Sequence, residues 1–155
     1  MSEFDDKVVI VTGAGGGIGR EHALAFARRG ARVLVNDLGS DVRGEGGSRF
    51  ADQVVNEIKE LGGHAVANYE SVAEPESAKA IVQQAVDEFG TVDILINNAG
   101  IMSIGPFREQ NLDRKQVEVN VFGVINGIEA VLPYMLKRGE GIVVNISSLA
   151  GQVAA

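Results

Sequence analysis

The residues best suited to chemistry in this sequence are glycines. Thr12-Gly13-Ala14-Gly15-Gly16-Gly17-Ile18-Gly19 follows the apolar run Val8-Val9-Ile10-Val11. It precedes Arg20 to Arg29, in which Ala23, Leu24, Phe26 and Ala27 recur at helical spacing. Glycine admits positive φ angles and lets backbone amides approach a pyrophosphate closely. The N-terminus of the following helix adds its partial positive charge at the same point. A strand, a glycine turn and a helix in that order imply a bound nucleotide or dinucleotide. No Gly-Lys-Ser/Thr follows, which disfavours a P-loop. The third glycine of G-x-G-x-x-G would fall on Ile18, so the pattern is instead T-G-x-x-x-G-I-G.

Two further polar sets stand where strands should end. Asp37 closes the second apolar run, at the distance from the glycines where a carboxylate can accept bonds from both adenosine ribose hydroxyls. It would repel a 2′-phosphate, so it favours NAD over NADP. Gly16 agrees, because an arginine or lysine there could have paired with that phosphate. As a plain turn residue Asp37 would carry none of this. Asn97-Asn98-Ala99-Gly100 follows Asp93-Ile94-Leu95-Ile96. Its amides can tie strand ends together and hold a ribose, while Ala99 and Gly100 leave room for a flat ring.

The elements that must position these groups alternate along the chain. β-Branched apolar runs predict strands at Val8–Val11, Arg32–Asn36, Ala65–Asn68, Ile94–Asn97 and Ile142–Ser147. Helical periodicity predicts helices at Gly17–Arg29, Arg49–Leu61, Glu76–Phe89 and Leu112–Lys137, the last irregular in its first turns. Gly30, Gly62-Gly63 and Gly90 stand at helix ends, and Pro75 suits a first turn. Alternating βα units imply an α/β fold, a doubly wound parallel sheet with helices on both faces. Right-handed crossovers then give the strand order 3-2-1-4-5. The glycine-rich stretch Leu38 to Ser48 is long for a strand–helix connection. It is expected either to fold over a cofactor's adenine end or to be a tolerated insertion.

Composition narrows the partners. One domain, residues 1–155, is expected at this length. The net charge of −7 argues against nucleic acid or an anionic membrane as partner. No apolar run approaches membrane-spanning length. The acidic start, Met1-Ser2-Glu3-Phe4-Asp5-Asp6, lacks the features of a secretory or transit peptide. The absence of cysteine excludes disulfides, thiol catalysis and cysteine-bound zinc. No metal site is expected, and a cytoplasmic location is.

These motifs together resemble the short-chain dehydrogenase/reductase family, a Rossmann-fold family whose cofactor turn is TGxxxGIG and whose fourth strand ends in NNAG. Glu118-Val119-Asn120-Val121-Phe122-Gly123 looks like the family's long-helix asparagine segment. Gly141-Ile142-Val143-Val144-Asn145-Ile146-Ser147-Ser148 looks like its fifth strand and catalytic serine. A narrower likeness, through Val35-Asn36-Asp37-Leu38-Gly39 and Ala65 to Val72, is to the dehydrogenase part of peroxisomal multifunctional enzymes of type 2. Members of that group oxidise 3-hydroxyacyl-CoA with NAD.

The resemblance implies roles. Gly13, Gly17, Ile18 and Gly19 would line the pyrophosphate and Asp37 would hold the adenosine ribose. Ser71 and Val72 would flank adenine, where many relatives have Asp-Val. Asn98, Ala99 and Gly100 would contact the nicotinamide-side ribose. Ser148 would hydrogen-bond a substrate oxygen, and Asn120, through its backbone carbonyl, would hold a relay water. The implied activity is NAD-dependent hydride transfer on a small alcohol or ketone, by a homo-oligomer.

The family chemistry also needs a tyrosine acid/base and a lysine four residues on, which lowers its pKa and binds the nicotinamide ribose. No Tyr-x-x-x-Lys occurs, and neither Tyr69 nor Tyr134 lies where it could substitute. The chain is therefore expected to be part of a longer dehydrogenase, inactive alone and prone to aggregate through its fifth strand and long helix. The alternatives are a non-catalytic NAD-binding or assembly module and an S-adenosylmethionine methyltransferase, the latter disfavoured by Asn97 to Gly100. The apolar stretch Ile101 to Asn111 offers one wall for a substrate.

Overall fold

A computed structural model describes residues 2–39, 49–102 and 114–148. Its strands are β1 (Val8–Thr12), β2 (Arg32–Asn36), β3 (His64–Asn68), β4 (Ile94–Asn97) and β5 (Ile142–Asn145). Between them lie α1 (Gly17–Ala27), α2 (Phe50–Glu60), α3 (Pro75–Phe89), α4 (Arg114–Val117), a π-helical turn at Glu118–Phe122, and α5 (Gly123–Arg138). All strand pairs are parallel, in the order β3-β2-β1-β4-β5. This is the doubly wound architecture expected.

The core follows from strand alternation. Val9, Val11, Val33 and Val35 face α1 and α2, packing on Leu24, Val54 and Ile58. Val8, Ile10, Leu34 and Leu95 face the other way, onto Ile81, Val82 and Val131 of α3 and α5. Both faces of the central strands are covered, so β1 is fully buried. Each such aliphatic side chain contributes about 1.5–3 kcal/mol by leaving water. Contrary to the expectation that no apolar run approaches membrane-spanning length, the helical stretch Arg114–Arg138 is long and apolar enough to cross a membrane by length and composition. Its inner face packs on the second core cluster through Ala130, Val131 and Met135.

Expected boundaries hold to within a residue or two, with one correction, apart from the helix start at Leu112, which lies outside the described residues. β5 ends at Asn145 and not at Ser147. Its neighbour among the described residues, β4, ends at Asn97, and the last bond across the pair runs from the Ile146 amide to the Asn97 carbonyl at 2.9 Å. Beyond that point no further strand pairing is found among the described residues. Among the described residues β5 is also the last strand of the sheet, and Ile142, Val144 and Ile146 are exposed along or just after it. The irregular start of the long helix is the π turn, where the Gly123 amide bonds the Glu118 carbonyl, five residues back. Residues 40–48 of the glycine-rich stretch and 103–111 of the apolar stretch lie outside the described residues.

Candidate functional site

The ends of β1, β2 and β4 converge on a cavity of about 380 Å³. It sits at the point where strand order reverses, which is where open α/β sheets bind ligands. Its floor is the glycine turn. Gly13 has φ +62°, and a Cβ there would come within 2.7 Å of the Ala99 Cα, so the turn after β1 and the segment after β4 touch backbone to backbone. Gly17, with φ +50°, has nothing within 4 Å of a Cβ position, and neither has Gly16. Side chains at these two positions would project into the space above α1. The first turn of α1 carries no side-chain cap, so its leading amides keep their capacity to bind an anion.

Asp37 stands beside this turn. Its Oδ2 accepts the Gly15 amide at 2.8 Å and its Oδ1 accepts the Gly39 amide at 2.8 Å. A carboxylate has about four acceptor positions, so two remain for hydroxyls of a ligand. The glycine at 15 is required by this contact: a Cβ there would meet the Asp37 carboxylate at 2.7 Å and the Phe50 Cβ at 2.6 Å. These features fit the adenosine ribose and pyrophosphate of a dinucleotide, because the cradle is open only where side chains are missing.

On the β4 side the polar groups brace the turn. The buried Thr12 hydroxyl accepts the Asn98 and Ala99 amides at 3.1 and 3.0 Å. The Asn98 amide group donates to the carbonyls of Thr12 and Gly13, each at 3.0 Å. Gly19 must be small because a Cβ would lie 2.5 Å from that same amide nitrogen. Asn98 and Gly19 thus hold the shape of the turn, with the side-chain donors of Asn98 directed to backbone.

Of the residues singled out from sequence, Gly13, Gly17, Asp37, Ser71, Val72, Asn98, Ala99 and Gly100 line the cavity. Ile18, Gly19, Asn120 and Ser148 are not among its lining residues. Ile18 is 64% exposed on the outer side of α1. Asn120 lies in the π turn and clamps Ile101, donating to its carbonyl at 2.8 Å and accepting its amide at 2.9 Å. Ile101 does line the cavity, so Asn120 shapes the wall from behind. Ser148 is exposed, three residues past β5. The Ser71 hydroxyl accepts the Ala73 amide at 3.2 Å, a local turn bond.

Sequence reasoning missed Phe50, Glu70, Lys115 and Val119 as lining residues. It foresaw that the Asn97 amide ties strand ends together, but missed the polar row that Asn36, Asn68 and Asn145 complete with it. Thr12, Asn36 and Asn68 are in register, as are Asn97 and Asn145. The signal was present: β2, β3, β4 and β5 each end in asparagine.

Neither tyrosine reaches the site. Tyr134 on α5 donates to Gln83 of α3 at 3.0 Å. Tyr69 donates to Asp52 of α2, and that bond, with partial burial and the negative charge of Asp52, raises its pKa above the usual phenol value. A phenol serving as base needs the opposite shift.

Fold and cavity define an α/β protein with a glycine-turn cavity at its topological switch point. The short chain dehydrogenase family model matches residues 7–155, and the chain belongs to this oxidoreductase family. It is 51% identical over 152 residues to peroxisomal multifunctional enzyme A of Dictyostelium discoideum, covering 96% of this chain and 34% of that protein. To peroxisomal multifunctional enzyme type 2 of Mus musculus it is 46% identical over 156 residues, covering 96% and 20%. Among solved structures it resembles 7α-hydroxysteroid dehydrogenase complexed with NADH and 7-oxo glycochenodeoxycholic acid. That match has a TM-score of 0.86 and 37% identity, and covers 98% of this chain and 57% of the other. The chain therefore spans about a third or less of the length of these two peroxisomal relatives.

The family and the narrower likeness read from sequence are both borne out. The cytoplasmic location is not. Relatives in Dictyostelium discoideum, Mus musculus, Neurospora crassa and Saccharomyces cerevisiae are all peroxisomal by name, which points away from the cytoplasm. An acidic N-terminus and a lack of cysteine do not distinguish the two compartments.

Proposed function

We propose that the cavity binds NAD and that the chain is the cofactor-holding part of a dehydrogenase acting on a secondary alcohol or ketone. The observation that carries the reading is the Asp37 carboxylate, fixed by two amide donors with acceptor capacity left over beside the open glycines. Asp37 would hold the adenosine ribose hydroxyls, and its charge opposes a 2′-phosphate. Gly13, Gly17, Ile18 and Gly19 would present the turn and the α1 N-terminus to the pyrophosphate. Ser71 and Val72 would flank the adenine, and Asn98, Ala99 and Gly100 would bound the nicotinamide ribose.

When bound, the nicotinamide ring supplies the hydride acceptor or donor. Ser148 would donate a hydrogen bond to the substrate oxygen, and Asn120 would hold a relay water at its backbone carbonyl. No tyrosine lines the cavity, and the lysine that does, Lys115, does not stand four residues after a tyrosine as the family chemistry requires. Binding without turnover is therefore expected of these 155 residues. The setting is read as peroxisomal, on the names of the relatives. A homo-oligomeric state is supported by the apolar face that Val117, Val121, Phe122, Ile125 and Leu136 expose along the long helix.

Titration of the chain with NADH and NADPH, followed by nucleotide fluorescence, tests the reading. NADH should bind at least about tenfold more tightly, a difference of about 1.4 kcal/mol. Equal affinities, or a preference for NADPH, would overturn it.

A further inference from the structure

Buried amides beneath the adenosine end form a relay that starts outside the cavity. Gln84, on α3, donates from Nε2 to the Ala67 carbonyl at 3.0 Å and accepts the Asn68 Nδ2 at 2.8 Å. With its amide group so oriented, Asn68 presents Oδ1 to two donors, the Asn36 Nδ2 at 2.7 Å and the Glu70 amide at 2.9 Å. Asn36 donates onward to the Glu70 carbonyl at 2.9 Å. Both backbone polar groups of Glu70 are therefore held by the two asparagines. Asn36 is 2% exposed and Asn68 is 5% exposed, so neither can exchange its partners for bulk water.

The segment so held is a wall of the cavity. Glu70, Ser71 and Val72 line it, as do Asn36 and Asp37. The Asp37 amide also donates to the Asn68 carbonyl at 3.0 Å, so the same strand end positions the carboxylate. Apolar strand ends would stabilise the sheet without any desolvation of amides. What the amides add is direction: an asparagine flipped by 180° would oppose donor to donor.

We infer that Gln84 is a positioning residue for cofactor binding, setting the amide orientation of Asn68 and Asn36 and through them the Glu70–Val72 wall of the adenosine subsite. This rests on the NAD reading above. It assigns a binding role to a residue that is not among those lining the cavity.

The test replaces Gln84 in the chain and measures the dissociation constants of NADH and ADP-ribose together with thermal stability. Gln84→Met removes the acceptor for Asn68 and should weaken both ligands in parallel, by about tenfold, since a buried donor is left unpaired. Gln84→Glu restores that acceptor but loses the donor to the Ala67 carbonyl, so both affinities should recover in part, to between those of Gln84→Met and the unaltered chain. Gln84→Leu, which likewise offers Asn68 no acceptor while filling the space, should behave as Gln84→Met if the latter fails to fold. A fall in melting temperature with both affinities unchanged would make the relay purely structural and overturn the inference. Loss of NADH affinity alone, with ADP-ribose unaffected, would overturn it too. If the unaltered chain binds neither NADH nor NADPH, the cofactor reading itself fails first.

Discussion

The Gly15 amide donates to the Asp37 carboxylate across the mouth of the cavity, 2.8 Å from nitrogen to Oδ2. This bond joins the turn after β1 to the end of β2 and leaves the carboxylate facing the ligand space. Gly15→Ala places a methyl group within 2.7 Å of Asp37, so the carboxylate must move. Asp37→Ala removes it. Both variants should weaken NADH by about tenfold or more, and Asp37→Ala should also bring NADPH to near parity. Fluorescence titration with the two nucleotides checks this, and an unchanged preference in Asp37→Ala would move the discrimination elsewhere.

Thr12 predicts a stability effect. Its buried hydroxyl receives two backbone amides, so Thr12→Val leaves both without a partner. The expected loss is about 2–4 kcal/mol, at roughly 1–2 for each unpaired donor. Thr12→Ser should recover most of it. Urea unfolding gives the comparison directly.

Tyr69 predicts a pH effect. Its hydroxyl donates to Asp52, which raises its pKa, with Arg49 above the ring acting in the lowering direction. A pKa raised by folding means that the native state holds the proton more tightly. The stability this contributes is present below the ordinary phenol pKa and is lost as pH rises through the raised value. In a Tyr134→Phe background, ultraviolet titration should place the remaining phenol above its usual value, and Asp52→Asn should bring it down.

The exposed helix face predicts self-association. Leu136 is 73% exposed on α5, in a band with Ile125 and Leu132. Leu136→Lys should reduce concentration-dependent association in sedimentation velocity, with folding stability changed by no more than about 0.5 kcal/mol. A monodisperse monomer before any substitution would show that this face needs no cover.

What could be read in the sequence was whatever local pattern determines. Val8 to Val11 announce a buried strand by branching alone, and the glycine turn announces an anion site by steric need. What could not be read was the direction of side chains that tertiary contacts fix. Asn98 reads as a ribose ligand in a motif, yet its amide donors go to Thr12 and Gly13, because the turn approaches β4 so closely. Ile18 shares a motif with glycines that face the ligand, while its own position in the first turn of α1 turns it outward. The π turn was foreseen only as irregularity. Its place depends on Gly123 meeting Val72, where a Cβ would come within 2.7 Å of the Val72 Cγ2, a contact between distant segments.

The asparagines that end β2, β3, β4 and β5 have a consequence for how the sheet assembles. Parallel strands whose interior positions hold only valine, isoleucine, leucine and alanine are nearly interchangeable along their length, and sliding one past another costs little in apolar contact. A terminal amide changes that. A strand displaced by one residue turns its side chains to the opposite faces and strands its asparagine among aliphatic neighbours with no partner. Four of the five strands thus carry an amide end-stop, which favours one alignment of the ladder over its neighbours.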